Sequence, residues 1–254
     1  MRFLRRPAVL AIVTFLAPSL GLAQTPAADD QLRRDIEALK EGQKAIQKDL
    51  EEIKRILRSQ PVADALPKDP IRIADEPFKG EPGAKIALIE FSDYQCPFCG
   101  RYTKEVFPQI ESDYVNTGKV KYVFFDLPLD FHKNAFKAAE AAHCAGEQGQ
   151  FWEMHDLLFQ NQSALGPEQL STYAKRIGLS ETTFQQCLDS GRFGADIKKD
   201  ISEAGSAGIG GTPTFLIGIV QPGDGHVKVV RKLVGAKPYT EFKAAVDGAL
   251  MTAR

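Results

Sequence analysis

The chain has 254 residues, of which 26% are charged, and its 32 lysine and arginine residues against 33 aspartate and glutamate residues give a formal net charge of −1. This balance provides no excess of positive charge to attract nucleic acid or an anionic membrane, so we expect neither as a partner. The length allows one good-sized domain and an additional element.

The first element predicted along the chain is a secretory signal at residues 1–23. Three arginines precede a ten-residue apolar run, Ala8–Ala17, and small residues follow at Gly21 and Ala23. This order is typical of a signal peptide that is cleaved after its small residues. The apolar run is too short to cross a bilayer, which disfavours the alternative of an uncut membrane anchor. We therefore expect an oxidising compartment, in which the four cysteines can take part in disulfide chemistry.

Residues 29–58 are predicted to form a coiled-coil helix. Apolar side chains recur at alternating steps of four and three residues, and one polar residue, Gln43, occupies a position inside this seam. The apolar members of the seam are Leu32, Ile36, Leu39, Ile46, Leu50, Ile53 and Leu57. A strict 3.5-residue period aims a narrow seam at a partner helix, whereas a helix packed on its own domain, the alternative, has a wider apolar stripe. The pattern predicts a homo-oligomer and leaves the number of strands open.

A proline-rich linker is predicted over residues 59–70, and a single α/β domain over residues 71–254. Five prolines between residues 59 and 84 disfavour helix and favour an extended connector. The domain is predicted to begin with an edge strand near Ile71–Ile73.

The domain is predicted to alternate strands and helices around a helical insert at about residues 133–207. Glycines interrupt this insert and divide it into several helices. The remaining predicted elements are strands at 85–92, 119–127, 212–218 and 226–235, a helix over 96–117 and a last helix from Pro238 to about Thr252. This order is that of a thioredoxin fold with an inserted helical subdomain.

Two cysteines, Cys96 and Cys99, lie where a predicted strand gives way to a predicted helix. Pro97 suits the first helical turn, and the free N–H groups and the helix dipole there favour a thiolate on Cys96. Cys99 lies one turn later and is predicted to be the more buried, resolving cysteine. A structural zinc site is disfavoured because it needs four ligands, and a structural disulfide this short closes too small a loop to stabilise much. The pair is therefore interpreted as a redox centre.

Glu90 lies six residues before Cys96, inside the apolar strand "IALIEFS". A carboxylate buried in such a strand is costly and has a raised pKa, which would let it exchange the proton of Cys99. The alternative is that Glu90 points to a solvated face of the strand.

The segments "FSDYQCPFC", "AAHCAGEQGQFWEMHDLLF" and "GTPTFLIG", with the glutamate six residues before the first cysteine, resemble the DsbA-like thiol–disulfide oxidoreductases of the thioredoxin superfamily. The resemblance covers residues 71–254. It implies a periplasmic enzyme without a cofactor or metal, which acts on unfolded or misoxidised exported proteins and exchanges electrons with a membrane redox partner protein.

The resemblance also implies how the site binds its substrate. Pro213 is expected to be cis and to pack against the cysteine pair, and the backbone of Thr212 is expected to form a short β-bridge with a substrate chain. Pro97 and Phe98 are predicted to complete the substrate-binding surface.

The direction of the predicted chemistry stays open between oxidation and isomerisation. Phe98 stands where strong oxidases of this family have a histidine, and because phenylalanine cannot hydrogen-bond a thiolate, the pair is expected to be a weaker oxidant. Thr212 and the oligomerising helix resemble features of the disulfide isomerases. An alternative from another class is a periplasmic copper-handling or holdase protein, whose dithiol binds Cu(I).

Cys144 and Cys187 lie on two helices of the predicted insert. In an oxidising compartment they are expected to form a structural disulfide, as related chains often do; two buried free thiols are the alternative.

Overall fold

The computed structural model describes residues 26–59, 65–223 and 225–253. The predicted signal at residues 1–23 lies outside the described residues, as does part of the predicted linker. The chain divides between Gln60 and Pro61 into two units.

The N-terminal unit contains one long helix, α1 (Pro26–Ser59). Six of the apolar residues that form the predicted seam are exposed, with exposed fractions between 42% for Ile36 and 72% for Leu39. The predicted helix is confirmed, and its pairing with other copies stays a prediction. Since burial of such side chains stabilises by roughly 1.5–3 kcal/mol each, a partner helix would add substantially to the stability of this unit.

The second unit is built on a mixed sheet that, within the described residues, has six strands. These are β1 (Ile71–Arg72), β2 (Phe78–Lys79), β3 (Ile86–Ser92), β4 (Val120–Asp126), β5 (Thr214–Val220) and β6 (His226–Val234). Their order is β1-β6-β5-β3-β4-β2, with β3 and β4 parallel and all other pairs antiparallel. Every residue of β3 is buried, because helices cover both faces of the sheet at its centre.

Alternation along β3 sends its side chains to two different cores. Ile86 and Leu88 pack on one face with Tyr102, and Ile89 packs on the other with Ala204. The last helix of the chain adds to the first of these cores. This arrangement confirms the predicted thioredoxin fold with an inserted helical subdomain.

Helices fill the rest of the second unit. They are α2 (Pro97–Glu105), α3 (Phe107–Ile110), a π-helical turn (Glu111–Val115), α4 (Ala135–Gly146), α5 (Phe151–Gln160), α6 (Pro167–Arg176), α7 (Glu181–Ser190), α8 (Gly194–Ser206) and α9 (Tyr239–Thr252). Helices α4 to α8 form the inserted subdomain that the glycine pattern predicts.

The single helix predicted over residues 96–117 is wrong, because the structure divides this stretch into α2, α3 and the π-helical turn. The break falls at Val106, two residues before Pro108. Proline has no N–H to donate and its ring crowds the preceding turn, so a helix cannot continue through it undisturbed.

The inserted subdomain contains a disulfide between Cys144 on α4 and Cys187 on α7, with the two Cα atoms 5.8 Å apart. The bond closes a loop that contains α5 and α6, and it lies inside the apolar core of the insert. Cys99 belongs to the same core, so the inserted helices pack against the redox pair as well as against one another.

Candidate active site

The redox pair lies at the junction between β3 and α2, where the sheet meets the inserted helices. Cys96 is the N-cap residue of α2 and has extended backbone angles, and Pro97 occupies the first helical position. Cys96 is 4% exposed and Cys99 is fully buried. Both cysteines are in the dithiol form, and only Cys96 lies close enough to the surface to meet another protein.

The surroundings of Cys96 lower its pKa from 9.0 to about 5. The largest cause is a hydrogen bond from the Cys99 thiol to the Cys96 sulfur. The side chain of Thr212 and hydrogen bonds from the backbone N–H groups of Cys99 and Phe98 lower the pKa further. Burial acts in the opposite direction and is outweighed. With this pKa, Cys96 is predominantly a thiolate at neutral pH. The thiolate is the reactive form of cysteine, so Cys96 is the nucleophile of the pair.

Cys99 has the opposite character, since its pKa is raised well above 9.0. Burial is the largest cause, followed by the hydrogen bond with Cys96 and the negative charge of Glu90; Ser92 opposes them by hydrogen bonding. Cys99 thus holds its proton until a base removes it, and the pair separates into one thiolate and one thiol.

Glu90 lies in β3 beneath the pair and is fully buried, so the alternative of a solvated position does not hold. The Ser92 hydroxyl donates a hydrogen bond to Oε1 of Glu90 at 2.7 Å, and the Tyr122 hydroxyl donates one to Oε2. Burial raises the pKa of Glu90 from 4.5 to about 7, although both hydrogen bonds lower it and Cys96 raises it slightly. A carboxyl group with this pKa can accept and return a proton at neutral pH.

The Thr212–Pro213 peptide bond is cis, and it faces the cysteine pair from the loop before β5. The Cys96 sulfur lies 3.4 Å from the carbonyl oxygen of Thr212, within reach of a hydrogen bond from the thiol. The carbonyl of Pro213 accepts a hydrogen bond from Gly235 N at 2.8 Å, which ties this loop to the end of β6. The structure therefore brings Thr212 and Pro213 to the redox pair.

Phe98 has an exposed side chain, with 54% of its surface accessible. The guanidinium of Arg101 lies over its ring, 5.2 Å from the ring centre. Pro97, beside it, is also exposed. These two residues form an apolar patch next to the sulfur of Cys96.

Asp93 was not among the residues predicted from the sequence, although it fixes the turn that carries Cys96. Its buried carboxylate accepts hydrogen bonds from Gln95 N at 2.7 Å, Leu129 N at 2.7 Å and His132 Nδ1 at 2.8 Å. An aspartate between a buried strand and a helix start is a common turn residue, and this is the signal that sequence reasoning had available.

Among the described residues, no group of three or more histidine, cysteine, aspartate or glutamate side chains is arranged to hold a metal ion. Within the same ranges, no helix combines the length and the apolar character needed to cross a membrane.

A family model described as Thioredoxin matches residues 73–234, which is more than half of the chain. The chain belongs to the thioredoxin family. Among solved structures it is similar to oxidised BdbD of Bacillus subtilis, with a TM-score of 0.62 and 27% identity over 74% of this chain and 99% of that protein. It is also similar to α-DsbA1 of Wolbachia pipientis, with a TM-score of 0.62 and 26% identity over 72% of this chain and 94% of that protein. Its structural neighbours are thus DsbA-type proteins.

The chain is also similar in sequence to curated proteins of two kinds. Disulfide bond formation protein D of B. subtilis is 29% identical over 187 residues, 69% of this chain and 77% of that protein. Na(+)/H(+) antiporter NhaA 3 of Salinispora tropica is 39% identical over 153 residues, which are 60% of this chain. The matching region spans only 22% of the length of that antiporter, so the likeness concerns one part of a longer protein.

Proposed function

We propose that this protein is a periplasmic thiol–disulfide oxidoreductase that forms or isomerises disulfides in exported proteins. The observation that carries the proposal is the low pKa of Cys96, about 5, in a sulfur that the chain leaves partly accessible at a helix start. A structural cysteine pair has no need of one stabilised thiolate, whereas thiol–disulfide exchange depends on it. The likeness to DsbA-type structures supports the same chemistry.

Reduction and isomerisation of a substrate disulfide both begin when the Cys96 thiolate attacks one of its sulfurs. A bond forms between Cys96 and that sulfur, the substrate S–S bond breaks, and the other substrate sulfur leaves as a thiolate. In reduction, Cys99 then loses its proton and attacks the sulfur of Cys96, which releases the second substrate sulfur as a thiolate and leaves the Cys96–Cys99 disulfide. In isomerisation, a different thiolate of the substrate attacks the mixed disulfide instead, which forms a new substrate disulfide and releases Cys96 as the thiolate. Oxidation of a substrate dithiol is the reduction sequence in reverse.

Glu90 is proposed to accept the proton of Cys99 in this second step. Its pKa of about 7 suits the transfer, and its charge already acts on Cys99. Ser92 hydrogen-bonds Glu90 at 2.7 Å and lowers the pKa of Cys99 by hydrogen bonding, so its hydroxyl lies between the two groups.

The substrate chain is proposed to bind across the loop of Thr212 and Pro213. The backbone of Thr212 lies beside the Cys96 sulfur, where an extended substrate segment can pair with it in the manner of an added strand. The exposed Phe98 and Pro97 provide apolar contact area for an unfolded chain. A membrane redox partner is proposed to use the same surface when it resets the cysteine pair.

The seam of α1 is proposed to join several copies of the chain. Its apolar residues are exposed in the single chain, and burial of apolar surface is the main favourable term in association. Two or more active sites on one stem would raise the local concentration of dithiol around a misbridged substrate, which favours isomerisation.

Two point variants test the seam without removing α1. Ile46→Lys places a charge in the seam, and Ala45→Lys places the same charge on the neighbouring residue, outside it. Light scattering is expected to give the monomer mass for Ile46→Lys and an oligomer mass for Ala45→Lys. If both variants and the unaltered protein have the monomer mass, residues 29–58 do not join copies of this chain.

Refolding of scrambled ribonuclease tests the direction of the chemistry. Loss of isomerisation on deleting residues 29–58, with oxidation of a simple dithiol retained, supports an oligomeric isomerase. Equal isomerisation with and without these residues rules out an isomerase that depends on joining several copies of the chain. Anaerobic purification with metal analysis serves as a control for copper binding by the reduced pair.

A further inference from the structure

Gln162, on the loop after α5, reaches from the inserted subdomain to the turn that carries the redox pair. Its side-chain amide nitrogen donates hydrogen bonds to the carbonyl oxygens of Tyr94, at 2.9 Å, and Cys96, at 2.8 Å. The same amide thus binds the backbone on both sides of Gln95. A side-chain amide that donates to two nearby carbonyl oxygens holds both of them in place. It also offsets part of the negative charge on these oxygens.

Gly100 supplies the space that this amide needs. A Cβ atom at residue 100 would lie 2.0 Å from Oε1 of Gln162 and 2.6 Å from its amide carbon. Glycine lowers helix stability relative to alanine, and residue 100 is a helical position with ordinary backbone angles. The space for Gln162 is therefore obtained at a cost to α2.

A second contact joins the same turn to α5. The ring of Tyr94 packs on Phe159 with the ring centres 4.8 Å apart, and its hydroxyl is buried. Apolar contact thus holds the side chain of Tyr94, while Gln162 holds its carbonyl. The inserted subdomain therefore contacts the turn through ring packing and through hydrogen bonds. One of these hydrogen bonds is made to the backbone carbonyl of Cys96.

We propose that Gln162 is a positioning residue that holds the backbone of Cys96 at the start of α2, with the N–H groups of the first turn directed at its sulfur. The thiolate depends on backbone N–H groups of Phe98 and Cys99 that point at its sulfur, and this alignment requires the Cys96 backbone to stay at the start of α2. Gln162 holds that backbone and partly neutralises the negative ends of two carbonyls close to the thiolate. The inference rests on the proposed function only for the use that is made of the thiolate. The pKa of Cys96 can be measured without any substrate.

Gln162→Met tests this role by keeping the length of the side chain and removing its N–H donors. The pKa of Cys96, read from thiolate absorbance, is expected to rise by about one pH unit, as for loss of one or two hydrogen bonds. The reduced form is then less stabilised, so the equilibrium with glutathione is expected to move about tenfold toward the disulfide form, which is about 30 mV. Gln162→Glu, which adds a negative charge beside the same carbonyls, is expected to raise the pKa further.

Gly100→Ala perturbs Gln162 without changing it. The new methyl group is expected to displace the amide and raise the pKa of Cys96 as Gln162→Met does, although alanine itself favours the helix. In a chain that already carries Gln162→Ala, the space is empty, and Gly100→Ala is expected to have no further effect on the pKa. Thermal unfolding of each variant reports whether the fold is intact.

Three outcomes would overturn the proposal. One is an unchanged Cys96 pKa and glutathione equilibrium in folded Gln162→Met. Another is a fall in pKa in Gln162→Glu. The third is an effect of Gly100→Ala that is as large without Gln162 as with it. Failure of the proposed function would appear differently, as loss of disulfide exchange with protein substrates while these pKa changes are still observed.

Discussion

Replacing Glu90 with glutamine should change how the stability of the protein depends on pH. Burial raises the pKa of this carboxyl from 4.5 to about 7, so the folded state binds a proton that the unfolded state releases. The contribution of Glu90 to stability is fully present below pH 4.5 and is lost as the pH rises through 7. A difference of about 2.5 pH units corresponds to about 3 kcal/mol, so unaltered protein should lose up to this amount across the interval, and Glu90→Gln should not.

Urea unfolding of both proteins at several pH values between 4 and 8 provides the test. The measurement is made on the Cys96–Cys99 disulfide form, in which neither cysteine titrates and only a minor cause of the Glu90 shift is removed. All other ionisable groups are shared by the two proteins, so the difference between their free energies of unfolding isolates Glu90. Two curves that stay parallel from pH 4 to 8 would refute the assignment of a raised pKa to this residue.

Three further predictions concern groups with other roles. Alkylation of the reduced native protein should modify Cys96 with a rate midpoint near pH 5 and leave Cys99 unmodified, because the pKa of Cys96 is about 5 and that of Cys99 is raised; equal labelling of both by mass spectrometry would contradict this. Burial raises the pKa of Asp200 to about 9, so Asp200→Asn should gain stability relative to unaltered protein as the pH rises from 5 to 8, and a constant difference in unfolding experiments would argue otherwise. Replacing Cys144 and Cys187 together with serine opens a loop with a sequence separation of 43, which should cost about 4 kcal/mol in chemical unfolding while the redox pair keeps its activity; an unchanged stability would show that the bridge contributes little.

The parts of the fold that could be predicted are those that local patterns encode. The central strands are apolar runs bounded by turn residues. Glu90 is the charged residue inside one of these runs, which made burial one of its two expected positions. Proline directly after Cys96 marked the start of α2. In each case a few neighbouring residues were enough, because hydrophobic period and capping act over a single turn or strand.

The parts that were missed depend on contacts between distant residues or on very short elements. Strand β2 has two residues, too few to produce any period. Tyr122 reaches Glu90 only because β3 and β4 are parallel and in register, with Glu90 opposite Phe124. The sequence alone does not show which strands pair or in which register. Gln162 lies 66 residues from Cys96, and nothing in its own neighbourhood distinguishes it from a solvent-exposed loop residue.

The proline at residue 108 is a local signal for a helix break, and the prediction of one long helix over residues 96–117 does not take it into account. Its effect on α2 and α3 follows from the missing N–H and from the crowding of the preceding turn by its ring. The exposed seam of α1 is the converse case, since its pattern is clear in the sequence while its consequence depends on other copies of the chain.

The central claim is that Cys96 is the nucleophile in disulfide exchange, and trapping of a mixed disulfide tests it most directly. Cys99→Ser, incubated with a peptide that contains one disulfide, should accumulate a covalent complex that peptide mapping by mass spectrometry locates at Cys96. Cys96→Ser should form no complex and turn over no substrate, because the remaining thiol is buried and protonated. A mixed disulfide on Cys99, or retained turnover in Cys96→Ser, would contradict the account.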